Sequence, residues 1–164
     1  QEDSRMADVE LVLRFFAFSD IISRDEIRQN QIILSKFLND YMDDYRNLNG
    51  SEYNHKKEIF INIINFLHTT IGLNVFRTLK RKNQDIIWAK RVNPVVFDAV
   101  CSASVFVSEK HSDKLTTTLE KYIELLEDEN FKESTTNRTT NTEHIKTRIS
   151  RAAMILYGVE ISYE

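Results

Sequence analysis

The segment Val95–Val107 places the strongest constraint on the fold of this chain. Nearly all of its residues are apolar or small, and only Asp98 and two serines interrupt the segment. Asn93 and Pro94 precede it, and these residue types are preferred at the N-cap and the first position of a helix. Periodicity alone leaves a buried strand open, but the length of the segment and its cap favour a helix. We therefore predict a central buried helix over Pro94–Val107.

The scarcity of glycine and proline extends this prediction to the whole chain. The 164 residues include only three glycines and one proline, whereas a β-sandwich or barrel needs such residues at its many turns. A hydrophobic content of 41% is enough for a sizeable core, and the length suits one domain. We predict an all-α, single-domain bundle over residues 1–164, with about seven helices around the central one.

The N-terminal region is predicted to form a helix over Arg5–Phe18. Its apolar residues recur at helical spacing and include Met6, Val9, Leu13 and Phe16. This pattern predicts that the helix is buried around much of its circumference. Arg14 lies inside it, as Asp98 lies inside the central helix, and a buried charge needs a partner. We predict that Arg14 and Asp98 pair or share a hydrogen-bond network.

The remaining apolar spacing predicts the other helices and their ends. Further helices are expected over residues 32–45, 75–79, 115–126 and 145–156, and a long helix that starts after Ser51 is expected to carry an apolar stripe over residues 59–71. Ser51 and Thr140 are expected to cap two of them, and Gly50 is expected to end one. The Ser/Thr/Asn-rich stretch Ser134–Thr142 is predicted to be a loop.

Positive charge is concentrated in the middle of the chain. Residues 61–110 carry a net charge of +4, whereas the segments before and after them carry −4 and −3. Within fifteen residues, only Asp85 opposes the basic side chains of Arg77, Lys80, Arg81, Lys82, Lys90 and Arg91. Such a cluster can neutralise phosphates, and Trp88 among them can stack on a base. The alternative is a solvated loop with Trp88 in the core.

A second candidate for anion binding lies near the C terminus. The predicted Thr-rich loop leads into a helix, and the basic residues of this region are Arg138, Lys146, Arg148 and Arg151. Hydroxyl groups, backbone N–H groups and a helix N-terminus together form an anion site. Ordinary helix capping explains the same residues equally well.

The sequence offers no recognisable catalytic or metal-binding motif. Cys101 lies in an apolar setting that predicts a buried, unreactive thiol. Asp40, Asp43 and Asp44 are close enough to hold a metal, but we favour a solvated helix end. The four histidines match no zinc motif, and there is no phosphate-binding Gly-rich loop. We predict that this chain has no catalytic residues, metal or cofactor of its own.

The same residues bear on where the protein is found. A single cysteine allows no disulfide within the chain, which suits a reducing compartment. Polar residues interrupt the longest apolar stretch, so no membrane span is predicted. Gln1 opens a polar stretch without the features of a signal peptide. We expect a cytoplasmic protein without membrane contact, and the start at Gln1 suggests an excised fragment of a longer chain.

Several of these stretches resemble the helical region of the GmrSD-type family. The similarity rests on Arg5–Phe15 followed by Phe37–Met42, on the segment Asn93–Ala99, and on the polar loop from Ser134 that leads to a basic last helix. Members of this family are bacterial or phage-defence proteins with an N-terminal ParB/sulfiredoxin-like domain. That domain carries an Asp-Gly-Gln-Gln-Arg motif linked to nucleotide hydrolysis, and many members add a C-terminal HNH nuclease.

The resemblance implies a role without catalysis for this chain. Neither the Asp-Gly-Gln-Gln-Arg motif nor the nuclease motif occurs in it, so no catalytic residue of the family can be transferred. It implies an accessory domain of a restriction-like or DNA-associated protein, which packs on the N-terminal domain and contacts nucleic acid through its basic middle. The alternative is a scaffold or oligomerisation module in which the same charges are solvated.

Overall fold

The computed structural model describes residues 2–163, except for the side chains of residues 2–5, 23 and 25. This part of the chain forms an all-α bundle of seven α-helices with one small β-hairpin, which confirms the predicted fold class. The elements are α1 (Glu2–Asp20), α2 (Leu34–Asp44), α3 (Gly50–Ile71), β1 (Leu79–Lys82), β2 (Asp85–Trp88), α4 (Pro94–Lys110), α5 (Leu119–Glu127), α6 (Glu129–Thr136) and α7 (Thr142–Tyr157). Short 3₁₀ turns lie at Ile21–Ser23, Asp25–Arg28 and Ser112–Lys114.

Helix α4 is the buried centre of the bundle, as predicted. Its main neighbours are α1 and α7, while α5 and α6 pack on α7. The side chain of Asn93 accepts hydrogen bonds from the backbone N–H groups of Val95 and Val96, at 2.9 and 3.2 Å. The cap therefore satisfies two of the N–H groups that a helix start leaves without partners.

Helix α1 is buried only in its second half, so the prediction that it is buried around much of its circumference is wrong. Phe15, Ala17 and Phe18 belong to the core, but Met6 is 71% exposed and Val9 is 64% exposed. The predicted stripe of Met6, Val9, Leu13 and Phe16 is exposed or half-buried, and the face with Arg14, Phe15, Ala17 and Phe18 packs in the core instead.

Helix α3 begins well before its apolar stripe. Asn49, rather than Ser51, is the N-cap: its side chain accepts from the N–H of Glu52 at 3.0 Å, and the Glu52 carboxylate accepts from the N–H of Asn49 at 3.1 Å. Gly50 therefore starts this helix instead of ending the previous one. Gly72 ends α3 with a φ of 92°, a conformation that glycine adopts without steric cost.

The predicted short helix over residues 75–79 is wrong: residues 73–76 form a turn, and a β-hairpin over Leu79–Trp88 begins at the end of the predicted helix. Strands β1 and β2 pair antiparallel, with Leu79 opposite Trp88 and Lys82 opposite Asp85. Asn83 adopts a φ of 58° in the connecting turn, and asparagine is one of the few residues that tolerate this region. The hairpin carries half of the basic segment, and the rest flanks it.

The predicted loop over Ser134–Thr142 is also shorter than expected. Its first residues belong to α6, and the cap of α7 is Asn141 rather than Thr140. The Asn141 side chain accepts from the backbone N–H groups of Glu143 and His144. The backbone N–H of Ile32 donates to the carbonyl oxygen of Thr140 at 2.9 Å, which ties this short loop to the segment before α2. Over residues 2–163, no helix is both long and apolar enough to cross a membrane.

Candidate functional site

The inner face of the hairpin rests on α5. The rings of Trp88 and Tyr122 stack with 6.2 Å between their centroids and 8° between their planes. The Tyr122 hydroxyl donates to the carbonyl oxygen of Arg77, 3.0 Å away, at the base of the hairpin. Burial raises the pKa of Tyr122 well above its ordinary value, so this hydroxyl remains a donor. Trp88 is therefore packed against the core and does not present a free ring to a base.

Arg81 also belongs to the inner face. Its Nε donates to Oε1 of Glu127 at 2.6 Å, and its Nη2 donates to Oε2 at 3.1 Å. The bond to Arg81 lowers the pKa of the Glu127 carboxyl. Arg81 was a candidate for nucleic-acid binding, but its guanidinium already has a bidentate acidic partner. It fastens the hairpin to α5.

The outer face of the hairpin carries exposed lysines. Alternation along β1 places Lys80 and Lys82 on the face opposite Arg81. Lys90 and Arg91 follow β2, and all four side chains are exposed. Among the residues that the structure describes, none of the four has an ion-pair partner. We call Lys80, Lys82, Lys90 and Arg91 the basic ribbon; Arg77 is half-buried at its base.

Arg148 is buried, so its candidacy for nucleic-acid binding is wrong. It is 1% exposed, and its Nη1 donates to the carbonyl oxygens of Thr139 at 2.7 Å and Ser134 at 3.4 Å. Burial lowers its pKa to about 10, and the charge of Asp98 opposes this shift in part. Its buried Nε has no hydrogen-bond partner within the described part of the chain. Arg148 holds the turn after α6 against α7.

The other candidates near the C terminus are largely paired within the fold. Arg151 donates from Nε to Oδ1 of Asp128 at 3.0 Å, and Asp128 also caps α6. Lys146 lies 3.0 Å from a carboxylate oxygen of Glu143. Arg138 is exposed with a φ of 45°, and it has no ion pair among residues 2–163. The structure therefore does not assemble these four side chains into one anion site.

The predicted pair of Arg14 and Asp98 is present at the contact between α1 and α4. Arg14 donates from Nε to Oδ1 of Asp98 at 3.0 Å, and its Nη2 binds Oδ2. Asp98 is fully buried and Arg14 is 5% exposed. Burial raises the pKa of Asp98, and the Arg14 guanidinium opposes that rise. The guanidinium carbons of Arg14 and Arg148 lie 5.3 and 5.8 Å from the Phe18 ring centroid.

One polar cluster was not anticipated from the sequence. Nζ of Lys56 lies 3.1 Å from both Oδ2 of Asp20 and the hydroxyl of Tyr41, and 4.5 Å from the ring centroid of Tyr45. The Tyr41 hydroxyl donates to Asp20 at 2.7 Å. The spacing of the two tyrosines was a visible signal, but their lysine and aspartate come from other helices. The cluster joins α1, α2 and α3.

Beside this cluster, the same three helices enclose an apolar groove of about 350 Å³. Its lining residues are Val12, Leu13, Phe16, Tyr41, Met42, Tyr45, Leu48, Tyr53, Lys56, Lys57 and Phe60. We call this the α1–α3 groove. Met42 and Tyr53 at its edge are among the exposed large hydrophobic residues of the chain.

The remaining candidates for chemistry have partners or are inaccessible. Asp43 pairs with Arg46, and Asp44 pairs with Arg24. Within the described residues, no three or more potential ligands are grouped so that they could hold a metal ion. Cys101 is buried, and burial raises the pKa of its thiol well above the ordinary value.

Comparison with known proteins gave no relative. A scan against protein-family models and searches of curated proteins and solved structures found no match.

Proposed function

We propose that this chain is a non-catalytic helical domain of a restriction-like, DNA-associated defence protein, and that it contacts nucleic acid through the basic ribbon. The observation that carries this proposal is the outer face of the hairpin, where Lys80 and Lys82 stand exposed without ion partners among the described residues. Lys90 and Arg91 follow β2 directly and are also exposed. The GmrSD-type resemblance supplies the defence context and a further partner, the N-terminal domain that it implies.

The arrangement favours contact with phosphates over reading of bases. A two-stranded ribbon is narrow enough to enter the major groove of DNA. The lysines on its outer face are point charges, which neutralise phosphates and release counterions without distinguishing sequences. Trp88 packs on Tyr122 instead of facing outward. We therefore expect binding that depends strongly on salt and weakly on sequence.

The test is an anisotropy titration of labelled duplex DNA at low salt. Lys80→Glu combined with Lys82→Glu should weaken binding about tenfold or more, because two attractive charges become repulsive. Arg81 is left unchanged because it anchors the hairpin through Glu127. The matched control is Lys36→Glu with Lys114→Glu, which makes the same change in net charge at two other exposed lysines.

The outcomes of that titration separate the two kinds of function. Weaker binding by the ribbon variant alone supports the proposal. Equal weakening by both variants means that net charge, not the ribbon, governs binding, and this would refute the assigned surface. No binding by the wild-type chain at low salt would refute the nucleic-acid role altogether.

A second candidate function, an interaction module without nucleic-acid contact, is favoured by a different observation. Met6 and Val9 are the most exposed apolar residues of α1, and they continue towards the α1–α3 groove. A contiguous exposed apolar surface commonly marks a protein–protein contact. In this function the basic residues are solvated and the first half of α1 is the binding element.

A further inference from the structure

The first half of α1 presents an apolar seam that the described bundle leaves uncovered. Met6, Val9, Leu13 and Phe16 follow one another at spacings of three, four and three residues, the repeat that places side chains along one helix–helix contact. Phe16 packs against the core and Leu13 lies beside it, whereas Met6 and Val9 are exposed. One continuous seam is therefore covered at one end only.

The seam leads directly into the α1–α3 groove. Val12, Leu13 and Phe16 line one wall of the groove, and Tyr53 with Met42 borders its open side. Grooves of this kind accept the apolar face of an amphipathic helix. The chain thus carries both halves of a helix-in-groove contact: a helix with free apolar residues and, next to it, a groove with free apolar residues.

The charges beside the seam and the groove are complementary. Asp8 stands next to Val9 and is exposed, whereas Lys57 lines the groove and is also exposed. Neither has an ion-pair partner among the residues that the structure describes. Because Leu13 and Phe16 belong to both the seam and the groove, a two-fold contact there would place the side of each seam that carries Asp8 against the other copy's groove, which Lys57 lines. An isologous contact makes every such pair twice.

We propose that this surface is a homodimer interface, in which the first half of α1 of each copy lies in the α1–α3 groove of the other. The occupant is a second copy because seam and groove match each other in apolar character and in charge. A second copy is thus the partner of the interaction module described above. The dimer is tested independently of nucleic acid, because the mass of the particle is measured in the absence of DNA.

The experiment is sedimentation velocity of the chain from low to high micromolar concentration. We expect a particle of twice the chain mass at the upper end. Val9→Asp places a charge in the seam and should raise the dissociation constant about tenfold or more. The matched control is Met154→Asp, a similar change at an exposed methionine of α7, and it should leave the dissociation constant unchanged.

A charge exchange tests the pairing itself. Asp8→Lys and Lys57→Asp should each weaken the dimer, because each places two like charges at the contact. The double variant should recover it, because the two positions then carry opposite charges again, with the signs exchanged. Circular dichroism melts at low concentration, where the chain is monomeric, should be unaffected because Asp8 and Lys57 are both exposed in the monomer. A monomer at every concentration, equal effects of Val9→Asp and Met154→Asp, or no recovery in the double variant would overturn the proposal.

Discussion

The buried arginines and the basic ribbon are both clusters of positive charge, but their surroundings differ completely. Arg14 and Arg148 lie inside the bundle, where the carboxylate of Asp98 and two backbone carbonyl oxygens accept their hydrogen bonds. Lys80 and Lys82 stand on the outer face of a hairpin with no ionic partner within the described chain. A guanidinium is planar, weakly hydrated and forked, whereas an ammonium is compact and strongly hydrated. The arrangement of acceptors thus separates cations that stabilise the fold from cations available to a ligand.

Replacing Asp98 should have the largest effect on the buried side of this comparison. Asp98→Ala leaves the buried Arg14 guanidinium with only the exposed Glu10 carboxylate, 3.3 Å from its Nη1, so we expect the free energy of unfolding to fall by about 3–5 kcal/mol. Urea denaturation followed by circular dichroism measures this change. Arg14→Met combined with Asp98→Leu removes both charges and should recover much of the loss. A loss no greater than that of Asp40→Ala, at an exposed aspartate, would show that the pair is not structural.

Arg148 should matter less than Asp98 although it is equally buried. Arg148→Met removes the donor to the carbonyl oxygens of Thr139 and Ser134, which costs about 1–3 kcal/mol. The loss is limited because the native Nε is already buried without a described partner, so its removal also relieves a penalty. The same urea experiment applies. If Arg148→Met lowers the free energy of unfolding as much as Asp98→Ala does, Arg148 is as important to stability as the Arg14–Asp98 pair, and this prediction is wrong.

The attachment of the hairpin to α5 should contribute less to the free energy of unfolding than Arg148 does. Tyr122→Phe removes only the hydroxyl that donates to the carbonyl oxygen of Arg77, and we expect a loss of about 0.5–1.5 kcal/mol. Trp88 is the single tryptophan of the chain and stacks on Tyr122, so its fluorescence reports this contact during denaturation. Tyr53→Phe, at an exposed tyrosine, is the control. Identical stability in the two variants would mean that the hydrogen bond does not hold the hairpin.

Local signals made the helices and the central pair predictable. Asn93 and Pro94 marked the start of α4, and the length of the apolar segment made burial of Asp98 unavoidable. Arg14 was then the obvious cation, because it too lay within an apolar helix. Both inferences required only that a buried charge be compensated.

The hairpin depended on information that a single segment does not contain, whereas the burial of Arg148 did not. Leu79–Lys82 is basic and is followed by Asn83 without a glycine, so the usual hairpin signals are weak. Its strand character becomes evident only when Leu79 and Trp88 are seen packed on the bundle. Arg148 lies on the same helix face as Ile145, Ile149 and Ala152, so helical spacing was a local signal of its burial. Spacing in α1 predicted a buried stripe through Met6 and Val9, whereas the tertiary packing buries the face of Phe15 and Phe18.

The salt dependence of DNA binding tests the central claim, that the outer cations serve a ligand and the inner ones serve the fold. The logarithm of the association constant falls as the logarithm of salt concentration rises. In Lys80→Glu/Lys82→Glu the magnitude of this slope should be smaller by about two than in the wild type, because two phosphate contacts are lost. The free energy of unfolding of this variant should change by no more than about 0.5 kcal/mol, since both residues are exposed. An unchanged slope, or a variant that unfolds as readily as Asp98→Ala, would contradict the account.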